Sequence, residues 1–264
     1  MQTCPIFVSS ADSYSDLWPI FFDLFKLHWP EFDGVIYLNT EEKEFQSEGL
    51  NIVCTQVGKL GHFGKVFRAG LDKVDSDMVL LTMIDYILMG KVDNAAMEKY
   101  FDVFASSHWD ALVVGEFTDT HNCDETVHFV PNHHFAYQIA FWRKKELYQM
   151  ALPHENPWTS EVFGSERVKK MNIKIKSLNR KCAILPIIYD GSGCLHQGKW
   201  LTEAVEYLNG INYFVDYDKR GYYCDQSRKF REKIRVKWML AKDGLKGGEF
   251  KKVVSLLFET FHKN

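Results

Sequence analysis

The chain lacks most of the features that reveal a function at sight. Its 264 residues hold six cysteines and no CxxC pair, which excludes the common zinc and thiol-redox spacings and leaves reduced, structural thiols as the expectation. No stretch reaches the roughly 20 apolar residues of a membrane-spanning helix. The start, MQTCPIFVSSADSYSD, lacks the basic and apolar regions of a signal peptide, so a cytoplasmic protein is expected. A formal net charge of -3 leaves no excess of positive charge for a nucleic-acid partner. There is no internal repeat, no low-complexity linker and no early glycine-rich loop bearing Arg or Lys of the kind that cradles a triphosphate.

What is present is material for a large core, 46% hydrophobic and 15% aromatic. CPIFVSS, GVIYLNT, NIVCTQV and DMVLLTMID read as strands, and SDLWPIFFDLFKLHW and GHFGKVFRAGLDKV as helices. In the first helix Ser15 and Asp16 suit the N-terminal turn, where Pro19 is tolerated. Such alternation predicts an α/β fold with a largely parallel sheet covered by helices. Farther on, WDALVVGEF, HFAYQIAFWRK and the pair NIKIKSL and CAILPIIYD have strand character. KKELYQMAL and KWLTEAVEYL read as helices, and HENPWTSEVFGSERVKKM as a loop entering one. From residue 221 the composition turns to basic helix, so two units are expected, 1–220 and 221–264.

One residue contradicts its surroundings. Asp85 lies in DMVLLTMIDYILMG, a run otherwise apolar after its first position. An ionised carboxylate buried there without a partner would cost several kcal/mol. A strand ending near Asp85 would place it at the edge where open α/β sheets bind ligands, although on position alone it serves equally well as the cap of a following helix.

The order and spacing of SSADSYSDLWPIFFDLF, VLLTMIDYILMGKVD, FWRKKELYQMALPHENPWTSEVFGSERV and CLHQGKW, over most of residues 1 to about 205, resemble a GT-A-fold glycosyltransferase. The resemblance is to the small bacterial and viral sugar transferases of surface-polysaccharide and glycan assembly. It implies a mainly parallel, Rossmann-like sheet flanked by helices and a nucleotide-diphosphate sugar as donor. It also implies Mn²⁺ or Mg²⁺, because a hard cation prefers oxygen ligands and neutralises the departing diphosphate. Asp85 would be its ligand, joined by His196; TMID carries one carboxylate where the family motif has two.

The loop residues Ser9, Ser10, Asp12 and Tyr14 match the family's nucleotide-holding region, although a Ser-rich loop also caps helices. His196, Gly198 and Lys199 in CLHQGKW would meet the diphosphate, with glycine letting the backbone approach. In ENPWTSE, Glu161 is the first choice and Glu155 the second for the base that takes the acceptor's proton, and Trp158 would pack on a sugar face.

HNCDETVHFVPNHH gathers His121, Cys123, His128, His133 and His134 at no strong zinc spacing and is read as a polar loop. The basic segment from Arg228 could form amphipathic helices touching an anionic membrane that holds a lipid-linked acceptor, or could pack on the core with a solvated basic face. Two other readings compete with transfer: a non-catalytic nucleotide-sugar or glycan-binding protein, and a sugar nucleotidyltransferase.

Overall fold

The structure, a computed structural model, describes residues 4–115, 129–178, 185–187, 193–224 and 230–258. In chain order its elements are β1 (Ile6–Ser9), α1 (Trp18–His28), β2 (Val35–Leu38), β3 (Asn51–Cys54), α2 (Phe63–Asp72), β4 (Met78–Met83) and α3 (Asn94–Ser106). There follow β5 (Ala111–Val113), β6 (Phe129–Asn132), β7 (Ala140–Arg143), α4 (Lys144–Met150), α5 (Pro157–Met171) and β8 (Ile175–Leu178). The hairpin β9 (Leu195–His196) and β10 (Lys199–Trp200) leads to α6 (Thr202–Gly210), α7 (Phe230–Lys246) and α8 (Phe250–Phe258).

Eight strands form one sheet in the order β3-β2-β1-β4-β7-β5-β8-β6. Pairings β1–β2, β1–β4, β2–β3 and β5–β8 are parallel, and β4–β7, β5–β7 and β6–β8 antiparallel. The fold is thus α/β with a mixed, mainly parallel sheet, as the alternation of strand and helix predicts.

The layering follows from side-chain alternation along apolar strands. Ile6, Val8, Leu80, Leu112 and Phe141 join the core under α1, α3 and α6. Their neighbours Phe7, Val79, Leu81, Val113 and Trp142 join the opposite core under α2, α4 and α5. Because the central strands are apolar on both faces, the sheet is stable only when both are covered.

Local signals place the covering helices. Pro19 sits at the start of α1. Asn156 and Thr159 make a reciprocal capping box at the start of α5, and Asn172 ends that helix in the left-handed conformation at φ 54°. Asp93 caps α3 by accepting from the Ala96 N–H.

Three expectations need correction. Helix α3 occupies Asn94–Ser106, a stretch in which no element is expected above. Lys199 and Trp200 belong to the β9–β10 hairpin, not to the helix after it, because Gln197 and Gly198, at φ 52° and 77°, form a two-residue turn with both central φ positive. Asp16 does not cap α1, whose N-cap is Leu17; its carboxylate is held elsewhere. CAILPIIYD lies mostly outside the described residues, as does the histidine-rich stretch up to His128.

α2 and α5 both run from the carboxyl ends of the parallel strands back towards the next strand's start, so their N-termini share that edge with the loop after β4. They are drawn together by close backbone approach. The Gly64 N–H donates to the Glu155 carbonyl at 3.0 Å, and a Cβ at Gly64 would fall 1.9 Å from the Leu152 carbonyl oxygen. Alanine is the better helix former by about 1 kcal/mol, yet Gly64→Ala is expected to destabilise by about 1–3 kcal/mol through overpacking. Urea unfolding checks it, and a stabilised variant would show that the contact is not tight.

Candidate functional site

At the carboxyl edge, the ends of β1 and β4 lie side by side, the Ile84 N–H donating to the Ser9 carbonyl at 3.1 Å. Asp85 follows at once. Part of the residue reaches solvent, but its carboxyl lies among enough protein atoms that desolvation pushes its pKa up to about 7. Its own N–H and the charge of Arg220 act against that rise. Among the described residues no side chain donates a hydrogen bond to it. No helix follows Asp85 directly, so it is not a helix cap.

The segment before the hairpin is fixed to this residue. Cys194, fully buried, donates its N–H to the Asp85 carbonyl at 2.6 Å. Gly193 precedes it at φ 69°, where a Cβ would fall 2.6 Å from the same carbonyl oxygen and 2.8 Å from the Tyr86 ring. Close approach and left-handed backbone both require glycine there. The hairpin then carries His196 and Lys199 as a cross-strand pair, with Lys199 exposed and the His196 ring 4.3 Å from that of Tyr223. The turn explains the conformation of Gly198, whose surroundings are open.

Arg220, absent from the sequence reading, joins these parts. Its Nε and Nη2 grip both carboxylate oxygens of Asp16 at 2.7 and 2.6 Å, Nη2 also donates to the Ser13 carbonyl at 3.2 Å, and Nη1 reaches the Gly198 carbonyl at 3.5 Å. The guanidinium lies 4.8 Å from the Tyr14 ring centre, and the paired side chains of Arg220 and Asp16 are only 12% and 17% exposed. Against desolvation, the fork keeps the Asp16 carboxyl below its ordinary value. Burial, with the nearby charges of Asp85 and Asp16, raises the phenol of Tyr14.

The loop after β1 is partly occupied with its own structure. Ser9 is buried, and the Ser10 hydroxyl accepts from the Trp18 indole at 2.8 Å. Asp12, a candidate nucleotide contact, is engaged by the backbone of the loop after β2. Its oxygens accept from the backbone N–H groups of Glu41, Glu42 and Lys43 at 2.9, 2.9 and 3.1 Å, which outweigh desolvation and lower its pKa. It clamps the loop after β2 against the loop after β1.

Glu155 is likewise corrected. It is 1% exposed, accepts from the Leu152 N–H, and meets Arg167 through two bonds of 2.9 and 2.7 Å. A carboxylate held there cannot exchange protons with a bound sugar. Glu161, the fifth residue of α5, accepts the Tyr137 N–H through Oε1 at 2.9 Å, while burial raises its pKa. Trp158, in the first turn of that helix, is 59% exposed. Both share the carboxyl edge with Asp85 but stand on the helix layer of the other core, and no hydrogen bond or ion pair among the described residues joins them to the Asp85 group.

No group of three His, Cys, Asp or Glu side chains able to enclose a metal occurs among the described residues. The site still fits one cation type. A carboxylate at a strand end, without side-chain donors among the described residues, suits Mg²⁺ or Mn²⁺, which bind through one or two carboxylates and complete their shell with substrate phosphate oxygens and water.

No family model and no curated protein matches the sequence. Among solved structures, the chain is similar to residues 1–349 of S. aureus TarS, with 11% identity, a TM-score of 0.44 and coverage of 67% of this chain and 58% of that one. It is also similar to the catalytic domain of Drosophila beta1,4-galactosyltransferase 7 in complex with xylobiose, at 12% identity, 71% of each chain and a TM-score of 0.40. A third likeness is to galactosyltransferase LgtC in complex with donor and acceptor sugar analogs, at 11% identity, 85% of this chain and 88% of that one, and a TM-score of 0.37. With overlap this low, function has to be argued from the site.

Two substitutions separate the carboxylates of α5 and the loop before it. Glu155→Gln leaves Arg167 buried without its full partner and is expected to cost roughly 3–5 kcal/mol in urea unfolding. Glu161→Gln keeps the acceptor for Tyr137. Since the native pKa of Glu161 lies above its unfolded value of about 4.3, the native state binds more protons above that pH and stability falls as pH rises. The melting temperature of Glu161→Gln relative to the parent should therefore climb between pH 4 and pH 8. A constant difference would place Glu161 in water.

Proposed function

We propose that the chain is a glycosyltransferase that moves a sugar from a nucleotide diphosphate to a carbohydrate hydroxyl, with inversion, in glycan or surface-polysaccharide synthesis. One observation supports this above all. At the carboxyl edge Arg220 and Cys194 hold the Tyr14 loop, Asp85 and the His196–Lys199 hairpin against one another. That arrangement provides an aromatic ring, a carboxylate and basic side chains where a nucleotide diphosphate needs stacking, charge and donors.

In this reading Tyr14 meets the base or ribose, and His196 and Lys199 donate to the diphosphate as negative charge grows on it. Mn²⁺ or Mg²⁺, held by Asp85 with His196 nearby, would supply further positive charge to the leaving diphosphate. Trp158 carries a sugar face. The free oxygen of Glu161 takes the acceptor's proton as the new C–O bond forms at the anomeric carbon and the bond to the diphosphate breaks. Desolvation raises the affinity of that carboxylate for the proton, which favours the base role.

A second reading, nucleotide-sugar binding without transfer, is favoured by the lone carboxylate in TMID. Peripheral contact with an anionic membrane at the cytoplasmic face also belongs to the proposal. Among the described residues no helix is long and apolar enough to cross a membrane. Exposed Phe250 and Val254 beside exposed Lys246 and Lys251 give α7 and α8 a basic, apolar outer face.

Thermal shifts with nucleoside diphosphates and their sugars, with and without Mn²⁺, test donor binding by mass action. Asp85→Asn is expected to abolish the Mn²⁺-dependent part of the shift. Glu161→Gln should keep the donor shift and slow transfer by about 10²- to 10⁴-fold. Unchanged Mn²⁺ dependence in Asp85→Asn would remove the ligand assignment, and normal turnover in Glu161→Gln the base.

A further inference from the structure

A cleft of about 740 Å³ opens at the carboxyl edge between the N-terminus of α2, residues His154 to Asn156 and one face of α7. Its size lies within the range of roughly 300–1,000 Å³ that encloses small ligands. The helix α7 is fastened to α5 above it. Asp243 accepts from the Thr159 hydroxyl at 3.1 Å, its carbonyl meets His154 Nε2 at 3.1 Å, and a Cβ on Gly244 would fall 2.5 Å from the Phe163 ring.

The charges around this cleft do not balance. Both of its acids are engaged within the protein, Glu155 with Arg167 and Asp243 with Thr159, and both are buried. Lys242 is exposed and makes no ion pair among the described residues, and exposed His62 stands at the N-cap of α2 without a side-chain capping bond. The positive end of that helix therefore adds to a basic lining. On the same face of α7 as Lys242, four residues earlier, Trp238 leaves 73% of its surface to solvent. An indole at a polar, basic rim offers a flat apolar surface to the C–H face of a pyranose while the neighbouring donors reach its hydroxyl or acidic groups.

We propose that this cleft is a subsite for a carbohydrate carrying a carboxylate or phosphate, with Trp238 stacking on a sugar ring and Lys242 meeting the negative group. The inference rests on the glycosyl-transfer reading for its role, which is to hold part of an acidic acceptor away from the bond being made. Sugar stacking and anion pairing are carried by different side chains, so they can be removed separately.

The test uses the full chain on a printed array of neutral, carboxylated and phosphorylated oligosaccharides, followed by calorimetry with the best acidic and the best neutral glycan. The parent should bind an acidic glycan at least tenfold more tightly than its neutral counterpart. Trp238→Ala should weaken both at least tenfold, and Lys242→Glu should erase the acidic preference. Both positions are exposed, and the melting temperature of each variant alone verifies its fold, while shifts with the nucleoside diphosphates and Mn²⁺ screened above verify its donor site. Absence of glycan binding, equal affinity for neutral and acidic glycans, or variants that bind like the parent would each overturn the proposal. If acidic glycans bind through Trp238 while no nucleotide sugar shifts the protein, the subsite stands and the transfer reading falls. Donor binding without glycan binding removes the subsite and leaves the transfer reading in place.

Discussion

The burial of β1 and β4 on both faces is the constraint from which the site follows. Ile6, Phe7 and Val8 on one strand and Val79, Leu80 and Leu81 on the other all enter a core, so a charged side chain within them would be desolvated with nothing to offset the cost. Polar groups are admitted only where the strands end. Ser9, Thr82 and Asp85 stand at that limit. Parallel neighbours then bring their carboxyl ends, and the loops that leave them, to one edge. The position of the polar group is set by the apolar run that precedes it.

Loops alone would not hold a defined arrangement there, because closing them costs conformational entropy. Two arginine forks supply the restraint, one in each helix layer. Arg220 takes both oxygens of Asp16 and the carbonyl of Ser13, and Arg167 takes both oxygens of Glu155 and the carbonyl of Met150. In each case a planar guanidinium satisfies a carboxylate and a backbone carbonyl together, which a lysine cannot do in the same geometry. One fork fixes the entry to α1, the other the approach to α5. Asp12, accepting three successive backbone N–H groups, does for the loop after β2 what the forks do for the others.

The extent to which the sequence reveals this molecule follows from the range of each interaction. Strands β1, β4 and β8 show as apolar or alternating runs because burial is decided residue by residue. α3 has local signals too, with Asp93 at its N-cap and Met97, Phe101 and Phe104 spaced for one face, so it is open to reading. The position of Asp85 at a strand end is equally legible. The roles of Asp12, Asp16 and Glu155 are not, since a carboxylate in a loop looks the same whether it faces ligand or backbone. Arg220 lies 204 positions from Asp16, and no local pattern encodes a pair across that distance. The hairpin turn at Gln197 and Gly198 is obscured for another reason: Lys199 and Trp200 adjoin a helical pattern that continues smoothly to Leu208.

The remaining asymmetry of the site is electrostatic. Arg220 is the cation that acts on Asp85, yet two arms of its fork are committed to Asp16, and its effect on Asp85 is smaller than that of desolvation. Asp85 is consequently left with a pKa that desolvation pushes up to about 7. Structural carboxylates in this protein are treated differently: Asp12 has three N–H donors and Asp16 a guanidinium, and both are held below their ordinary values. A cation or a hydrogen-bond donor arriving at Asp85 would favour the anion, whereas a group that accepts the carboxyl's proton in a hydrogen bond would favour the acid. The fold satisfies Asp12 and Asp16 internally, whereas among the described residues no side chain does the same for the carboxylate at this edge.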